Sequence, residues 1–350
     1  MIDLFRIDSE ITNKCNSACP ACPRTGPDGK DSDVVKAQGL VDLDLKHIDN
    51  ILLSQAGFSV NTWTYCGNYG DPFMHEHAFD FVYKVAEYGV KYQRFDTNGG
   101  MRSPKFWSDL GRIPGITVNF ALDGLEDTNH LYRVKTKWSN IMANAEAFIK
   151  AGGKATWTML IFAHNEHQID DCRALSQKMG FEEFYVKKST RRIIVPENQK
   201  QSKDVQVKKV DYNFQLSKKM EQKAVIDGAK KQENKTNVEQ YGVKQFNITC
   251  QAIKKTQLYI TPQGMVLPCC HVHTGVYENR FGITSKRNQF DNVLIDNNIK
   301  TNLNEFSFDE IVASYRENIH VFEQHWKNRD IPMCNRKCGS NLANKVEKVA

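Results

Sequence analysis

The sequence predicts an α/β protein: an open, partial (β/α)6 barrel of the TIM type, followed by a small C-terminal α+β unit. Three observations carry this. Six short runs rich in β-branched or aromatic residues alternate with helical runs through residue 190, and such alternation builds a parallel sheet. Six units are too few to close an eight-fold barrel. Past residue 245 the pattern changes to a hairpin, a helix and a cysteine-bearing tail.

Taken in order, Leu4 to Thr12 is the first strand. Leu40 to Gln55 has helical spacing in Leu45, Ile48, Ile51 and Leu52. Asn61 to Cys66 is β-branched and aromatic, a second strand. His77 to Tyr88 is helical, with Phe79, Phe81, Val82 and Val85 apolar. Tyr92 to Asp96 is a third strand, ended by Asn98-Gly99-Gly100. Ser103 caps the next helix, with Pro104 in its first turn. Ile116 to Leu122 is a strand, and Trp138 to Ala151 a helix closed by Gly152-Gly153. Lys154 to Phe162, Gln168 to Met179 and Phe184 to Lys187 give strand, helix and strand. Functional loops of such a barrel lie at the carboxyl ends of its strands.

Three regions follow. Residues 1–190 form the barrel and residues 246–350 the C-terminal unit. Residues 191–245 form a basic linker rich in Lys, Gln and Asn, with a helical run at Asn213 to Gly228. The linker reads as a solvated connector. Few aromatics interleave with its lysines, so nucleic acid is not the favoured partner. In the last region Gln257 to Thr261, Pro262-Gln263-Gly264 and Met265 to Leu267 read as a β-hairpin. A helix is expected at Phe308 to Trp326.

Of the 350 residues 40% are hydrophobic, which excludes global disorder. The net charge of +6 is mild and does not point to nucleic acid. No basic segment precedes an apolar one at the start, and no apolar run reaches the ~18 residues of a membrane span. A cytoplasmic protein without a membrane partner is expected. There thiols stay reduced, and clustered cysteines bind metal more often than they pair. Eight of the ten cysteines are clustered: Cys15, Cys19 and Cys22, then Cys250, Cys269, Cys270, Cys334 and Cys338. Cys66 and Cys172 stand alone and read as buried apolar thiols.

Cys15-Asn16-Ser17-Ala18-Cys19-Pro20-Ala21-Cys22 directly follows the first strand. Three thiolates at this spacing can wrap one corner of a [4Fe–4S] cubane and leave the fourth iron open, where a fully protein-bound cluster uses four. A zinc knuckle is the competing reading. The CX3CX2C spacing in the loop after the first strand resembles the radical S-adenosylmethionine (SAM) superfamily. The resemblance implies that the open iron chelates SAM, that SAM is cleaved reductively to a 5′-deoxyadenosyl radical, and that this radical takes a hydrogen atom from substrate. Ala21 departs from the aromatic residue common before the third cysteine. Further matches fall at strand ends. Gly67-Asn68-Tyr69-Gly70-Asp71-Pro72 looks like the family's GGEP-type motif, which implies backbone contact with the SAM amino group; Asp71 stands where Glu is usual. Asp96-Thr97-Asn98-Gly99 ends the third strand. Ala121-Leu122-Asp123-Gly124 ends the fourth and resembles the S-x-D-G-type segment near the SAM ribose. The resemblance thus makes Gly67, Asn68, Tyr69, Gly70, Asp71, Asn98 and Asp123 the cofactor-binding candidates.

Cys250, Gly264 and Cys269 match the CX9–15GX4C signature of SPASM and shorter twitch domains. Cys334 and Cys338 supply two more thiols, three residues apart where two is frequent. The resemblance implies a second, fully ligated [4Fe–4S] cluster on Cys250, Cys269, Cys334 and Cys338. The cysteine count favours the twitch form. Cys270 is a fifth thiol for four places, and His271 and His273 nearby keep a Cys/His zinc site open. An auxiliary cluster of this kind implies electron relay, and hence oxidation or bond formation on a peptide or small molecule. An external donor such as flavodoxin or ferredoxin is then required. The other readings are a non-catalytic, metal-stapled nucleic-acid-binding protein and a radical SAM enzyme acting on RNA. Tyr65, Asp123, His130 and Arg133 are candidate proton acceptors, and none is assigned as catalytic.

Overall fold

Six strands form in the predicted order: β1 (Arg6–Ser9), β2 (Thr62–Tyr65), β3 (Tyr92–Thr97), β4 (Ile116–Ala121), β5 (Lys154–Ile161) and β6 (Glu183–Lys188). Each pairs in parallel with the next, in registers such as Ser9↔Tyr65, Tyr65↔Phe95 and Phe95↔Val118. The computed structural model describes residues 6–26, 28–55, 59–188, 248, 250, 252–253, 257–283 and 289–338. The basic linker 191–245, with its expected helix at Asn213 to Gly228, lies outside the described residues.

Helices run back between the strands: α1 (Asp33–Gln38) and α2 (Lys46–Leu52), then α3 (Ala78–Glu87), α4 (Pro104–Gly111), α5 (Glu126–Tyr132), α6 (Trp138–Lys150) and α7 (Ile169–Met179). Strand periodicity explains the core. Ile7, Trp63, Tyr65, Phe95, Val118, Phe120, Trp157 and Met159 are buried against Ile48, Ile51, Phe81, Val85, Trp107, Leu110, Ile141 and Phe148 of the helices. Each such side chain contributes about 1.5–3 kcal/mol by leaving water. The alternate positions Asp8, Thr64, Arg94, Asp96 and Asn119 therefore lie on the other, inner face. There Arg94 pairs with Asp96 at 2.6 Å, and the Asn119 amide donates to Asp96 at 2.9 Å.

The expected helix at Leu40 to Gln55 is shorter, Lys46–Leu52. Its first residues are held extended instead: Leu43 N–H donates to the Ile11 carbonyl at 2.8 Å, and Thr12 bridges Asp42. The Asp44 carboxylate then accepts from Lys46 N–H at 2.9 Å and starts the helix. Helix α5 was not anticipated.

The hairpin forms as β7 (Gln257–Ile260) and β8 (Val266–Leu267), with Gly264 at φ +78° in the turn. Strand β7 pairs in parallel with β1, so one eight-stranded sheet runs β6-β5-β4-β3-β2-β1-β7-β8. Helices α8 (Cys270–Arg280), α9 (Gln289–Asp296), α10 (Phe308–Glu317), α11 (Ile319–Asn328) and α12 (Pro332–Cys338) follow. The single helix expected at Phe308 to Trp326 is two, broken at Asn318. Its side-chain amide donates to the Ser314 carbonyl at 2.9 Å and shares it with its own backbone N–H at 3.2 Å. These elements pack Tyr259, Leu267, Val276, Phe290, Leu294 and Phe322 with Val34, Val35 and Tyr69 from the barrel's loops. Among the described residues no helix is long and apolar enough to cross a membrane.

Candidate active site

Cys15, Cys19 and Cys22 sit in the loop leaving β1, at the carboxyl edge of the parallel sheet. The loop is pinned by its own backbone: Ala18 N–H donates to the Val134 carbonyl at 3.0 Å, and Cys22 N–H to the Cys19 carbonyl at 3.0 Å. Polar groups surround the sulfurs. Ser17 N–H lies 3.4 Å from the Cys15 Sγ, and the Ser17 hydroxyl lies 3.1 Å from the Cys19 Sγ. The Asn98 amide approaches Cys15 at 3.9 Å and the Arg133 guanidinium approaches Cys19 at 3.8 Å. Ala21 packs with Tyr132 and Phe162, whose rings lie 4.5 Å apart, so aromatic side chains from the β4–β5 and β5–β6 connections fill the space beside the small residue.

The loop of residues 67–72 closes over this one. Asp71 N–H donates to the Lys14 carbonyl at 2.8 Å, and the Asn68 carbonyl lies 3.7 Å from the Cys22 Sγ. Only glycine fits where the backbones press together. A Cβ on Gly70 would stand 1.9 Å from the Thr12 carbonyl oxygen, and one on Gly67 would stand 1.7 Å from that of Gly70. The Asp71 carboxylate is buried and directed into the protein. It accepts from Thr97 Oγ1 at 2.8 Å, Asn98 N–H at 2.9 Å, the Asn98 amide at 2.8 Å and Phe73 N–H at 3.1 Å. Burial raises its pKa against these donors. Asp71 thus ties the second strand's loop to the third's. Asn98 in turn spans Asp71, Asn16 and Cys15.

Asp123, at 0% exposure, is paired with Arg133 at 2.7 Å and accepts from Leu160 N–H at 2.6 Å. Burial opposes the charge of Arg133, but Asp123 and then Cys19 outweigh it and hold the guanidinium protonated. Arg133 is therefore a fixed cation beside Cys19 and not a proton acceptor. Tyr65 is corrected too. It lies on the helix side of the sheet, stacked on Phe95 at 4.2 Å, and donates to Gln93 at 2.7 Å. His130 is exposed, with Nδ1 3.2 Å from the Glu126 carbonyl.

The C-terminal thiols also share a neighbourhood. Burial pushes Cys334 up to about 12, with Cys250 and Cys338 adding to it. Burial raises Cys269 as well, and Cys270, Cys250 and Cys334 raise it further. Cys250 is raised by burial and by Cys338. Cys270 adds its charge to Cys66 and Tyr259 as well as to Cys269. Cys172 lies in the barrel core, as expected, whereas Cys66 is half-buried at the strand end. None of the ten cysteines is in a disulfide. Among the described residues no three His, Cys, Asp or Glu side chains converge on one point fit for a single ion. The donor chemistry of both thiol groups suits iron–sulfur clusters, whose cysteines ligate separate irons.

Sequence reasoning missed Glu10, Asn16, Ser17 and Tyr259, and weighed His273 only as a zinc ligand. Glu10 is wholly buried and accepts from Tyr69 N–H, from Gly70 N–H at 2.8 Å and from the Tyr259 hydroxyl at 2.6 Å. Its signal in the sequence was an acid at the carboxyl end of a strand, where barrel sites lie.

No protein-family model matches the sequence, and no curated protein matches it. Solved structures do. A crystal structure of Streptococcus suis SuiB bound to S-adenosylmethionine is 16% identical with a TM-score of 0.51, covering 77% of this chain and 61% of that one. SuiB bound to the precursor peptide SuiA gives 14% and 0.54, covering 89% and 65%. Native anSMEcpe with bound AdoMet and the Cp18Cys peptide gives 14% and 0.51, covering 95% and 83%. The chain thus spans less than two thirds of the length of the SuiB chains. These likenesses define the architecture: the chain has the partial-barrel fold seen in those structures. That fold places the carboxyl-edge loops carrying Cys15, Gly67 and Asn98 together, as described above.

Proposed function

We propose that this protein is a radical SAM enzyme, with one [4Fe–4S] cluster on Cys15, Cys19 and Cys22 and SAM seated between that loop and residues 67–70. The observation that carries the reading is the convergence of three thiols outside any disulfide with a glycine-only backbone loop and Asn98 at one edge of a parallel sheet. When bound, cluster and SAM supply reductive cleavage to methionine and a 5′-deoxyadenosyl radical that takes a hydrogen atom from substrate.

The chain's own residues hold and orient. Gly67, Asn68, Tyr69 and Gly70 present backbone to the amino group of SAM. Asp71 acts through others, aligning Thr97 and Asn98 beneath the cysteine loop. Asp123 likewise acts by fixing Arg133, whose charge offsets the thiolate of Cys19. Tyr132 and Phe162 exclude water from that side of the loop.

Cys250, Cys269, Cys334 and Cys338 are proposed to hold a second [4Fe–4S] cluster in a twitch-type unit of residues 246–350, joined to the barrel of residues 1–190 through the linker 191–245. The shared neighbourhood of the four thiols supports this. An electron taken from a substrate radical would leave by that route and make the net reaction an oxidation or a bond formation, with an external donor re-reducing the first cluster. A peptide or a small molecule is the proposed substrate class; structural likeness to SuiB with SuiA and to anSMEcpe with Cp18Cys favours a peptide.

The test is 5′-deoxyadenosine formation by mass spectrometry, using protein reconstituted anaerobically with iron and sulfide and given SAM and dithionite. Production by the wild type is expected. Colourless protein that retains zinc and makes none overturns the reading.

A further inference from the structure

Glu10 is a costly side chain to bury at the sheet's carboxyl edge. It has 0% exposure, and burial pushes its carboxyl up to about 7 despite its donors. A carboxylate is kept in such a place only where donors need it. Its donors come from two other regions. Oε1 accepts from the backbone of Tyr69 and of Gly70, in the loop closed over the cysteines. Oε2 accepts from the Tyr259 hydroxyl of β7 at 2.6 Å and lies 3.4 Å from His273 Nδ1 on α8. Tyr259 is itself 3.0 Å from His273 Nδ1 and receives the Asn68 amide at 3.2 Å. Asn68 also donates to the Cys270 carbonyl at 3.1 Å. The Tyr69 ring meets His273 edge-on, 5.1 Å between centroids.

The loop of residues 67–70 is held from both sides. Gly70 is pressed on the Thr12 carbonyl, so the loop cannot sink further. Glu10 fixes the direction in which its amides point. The carboxylate's own placement is then set by one hydroxyl from the C-terminal half. We infer that Glu10 is a positioning residue for SAM, orienting residues 67–70 through two amide hydrogen bonds and making that loop's placement depend on Tyr259 and His273. The inference rests on the reading of residues 67–70 as the SAM-binding loop. It adds a physical link by which the state of the C-terminal hairpin reaches SAM affinity, without contact between Glu10 and SAM.

The experiment compares wild type, Tyr259→Phe and Glu10→Ala in two ways. Deuterium uptake over residues 67–72 is measured on metal-free protein. On anaerobically reconstituted protein, KM for SAM and kcat are measured in dithionite-driven cleavage. Tyr259→Phe removes one hydroxyl that donates to a charged acceptor. It should speed exchange at residues 67–72 and raise KM about five- to tenfold, with kcat within about twofold and iron content unchanged. Glu10→Ala should do both more strongly. Faster exchange confined to β7 and α8, with residues 67–72 and KM as in the wild type, overturns the inference. Where Glu10→Ala does not fold, Tyr259→Phe decides alone. A wild type that neither binds nor cleaves SAM overturns the proposed function instead, and the exchange measurement still decides whether Tyr259 governs the loop.

Discussion

The two groups of thiols are assembled in opposite ways. Cys15, Cys19 and Cys22 come from one short loop, and their sulfurs are met by a hydroxyl, an amide and a guanidinium from Ser17, Asn98 and Arg133. Cys250, Cys269, Cys334 and Cys338 come from separate stretches, and Cys269 and Cys334 pack in an apolar cluster with Tyr315, Phe322 and Trp326. The first group has polar support and one ligand too few for a cubane; the second has four thiols in a largely apolar setting. A cluster's potential follows hydrogen bonds to its sulfurs and its burial. If both groups hold clusters as proposed, the contrast suits different tasks, exposing an iron in one place and enclosing a full ligand set in the other.

The largest expected effect breaks the contrast outright. Changing Cys15, Cys19 and Cys22 together to Ala should abolish 5′-deoxyadenosine formation. It should also halve the iron from about eight to about four atoms per chain, two cubanes becoming one. Mass spectrometry and iron analysis check both. Removing a C-terminal ligand should act on stability instead. Cys334→Ala should lose about four irons and lower the Tm of loaded protein by about 5 °C or more, while Cys270→Ala keeps its iron. Calorimetry with iron analysis separates these, and iron loss from Cys270→Ala would move the ligand from 269 to 270.

The polar support of the first site can be weakened without touching a thiol. Asp71→Ala strands the donors Thr97 Oγ1, Asn98 N–H and Phe73 N–H, and should cost about 3 kcal/mol in urea unfolding of metal-free protein. The smallest effect is a pH dependence at the junction between the two halves. Glu10 is raised from 4.5 to about 7 by burial, so the folded state keeps a proton that the unfolded chain has released. Its contribution is present below pH 4.5 and is lost as pH rises through about 7. His273 is lowered from 6.5 to about 3 by burial, so its contribution is present above 6.5 and lost as pH falls toward 3. The two oppose each other in between. Glu10→Gln removes one of them, and its stability relative to wild type should rise by about 2 kcal/mol from pH 5 to 8. Urea unfolding at several pH values checks the sign.

The strands of the barrel were legible because their buried faces announce themselves: Trp63, Phe95, Phe120 and Trp157 alternate with polar residues in runs bounded by turn signals. The cysteine loop was legible because its ligands are local in sequence. Leu40 to Leu45 misled because its apolar spacing suits a helix, while pairing of Leu43 with Ile11 holds it extended. The break at Asn318 falls inside one continuous amphipathic run, whose spacing reads as a single helix. Asp71 and Asp123 stood in motifs whose position was readable. Their direction was not, because burial and partners such as Thr97 and Arg133 are tertiary facts. Glu10 escaped for the same reason, since its donors lie some sixty and 249 residues away.

The pairing of β7 with β1 bears on how the chain folds. Ser9 meets Ile260, so β1 is completed on one side by a strand some 250 residues further along the chain. Contacts of such sequence separation form late, because a long loop must close first. During synthesis the unpaired edge of β1 stands open, and an open edge is a template for a second chain. A chain released before residue 257 keeps that edge, and should survive as aggregate or as a client of chaperones rather than as a free barrel.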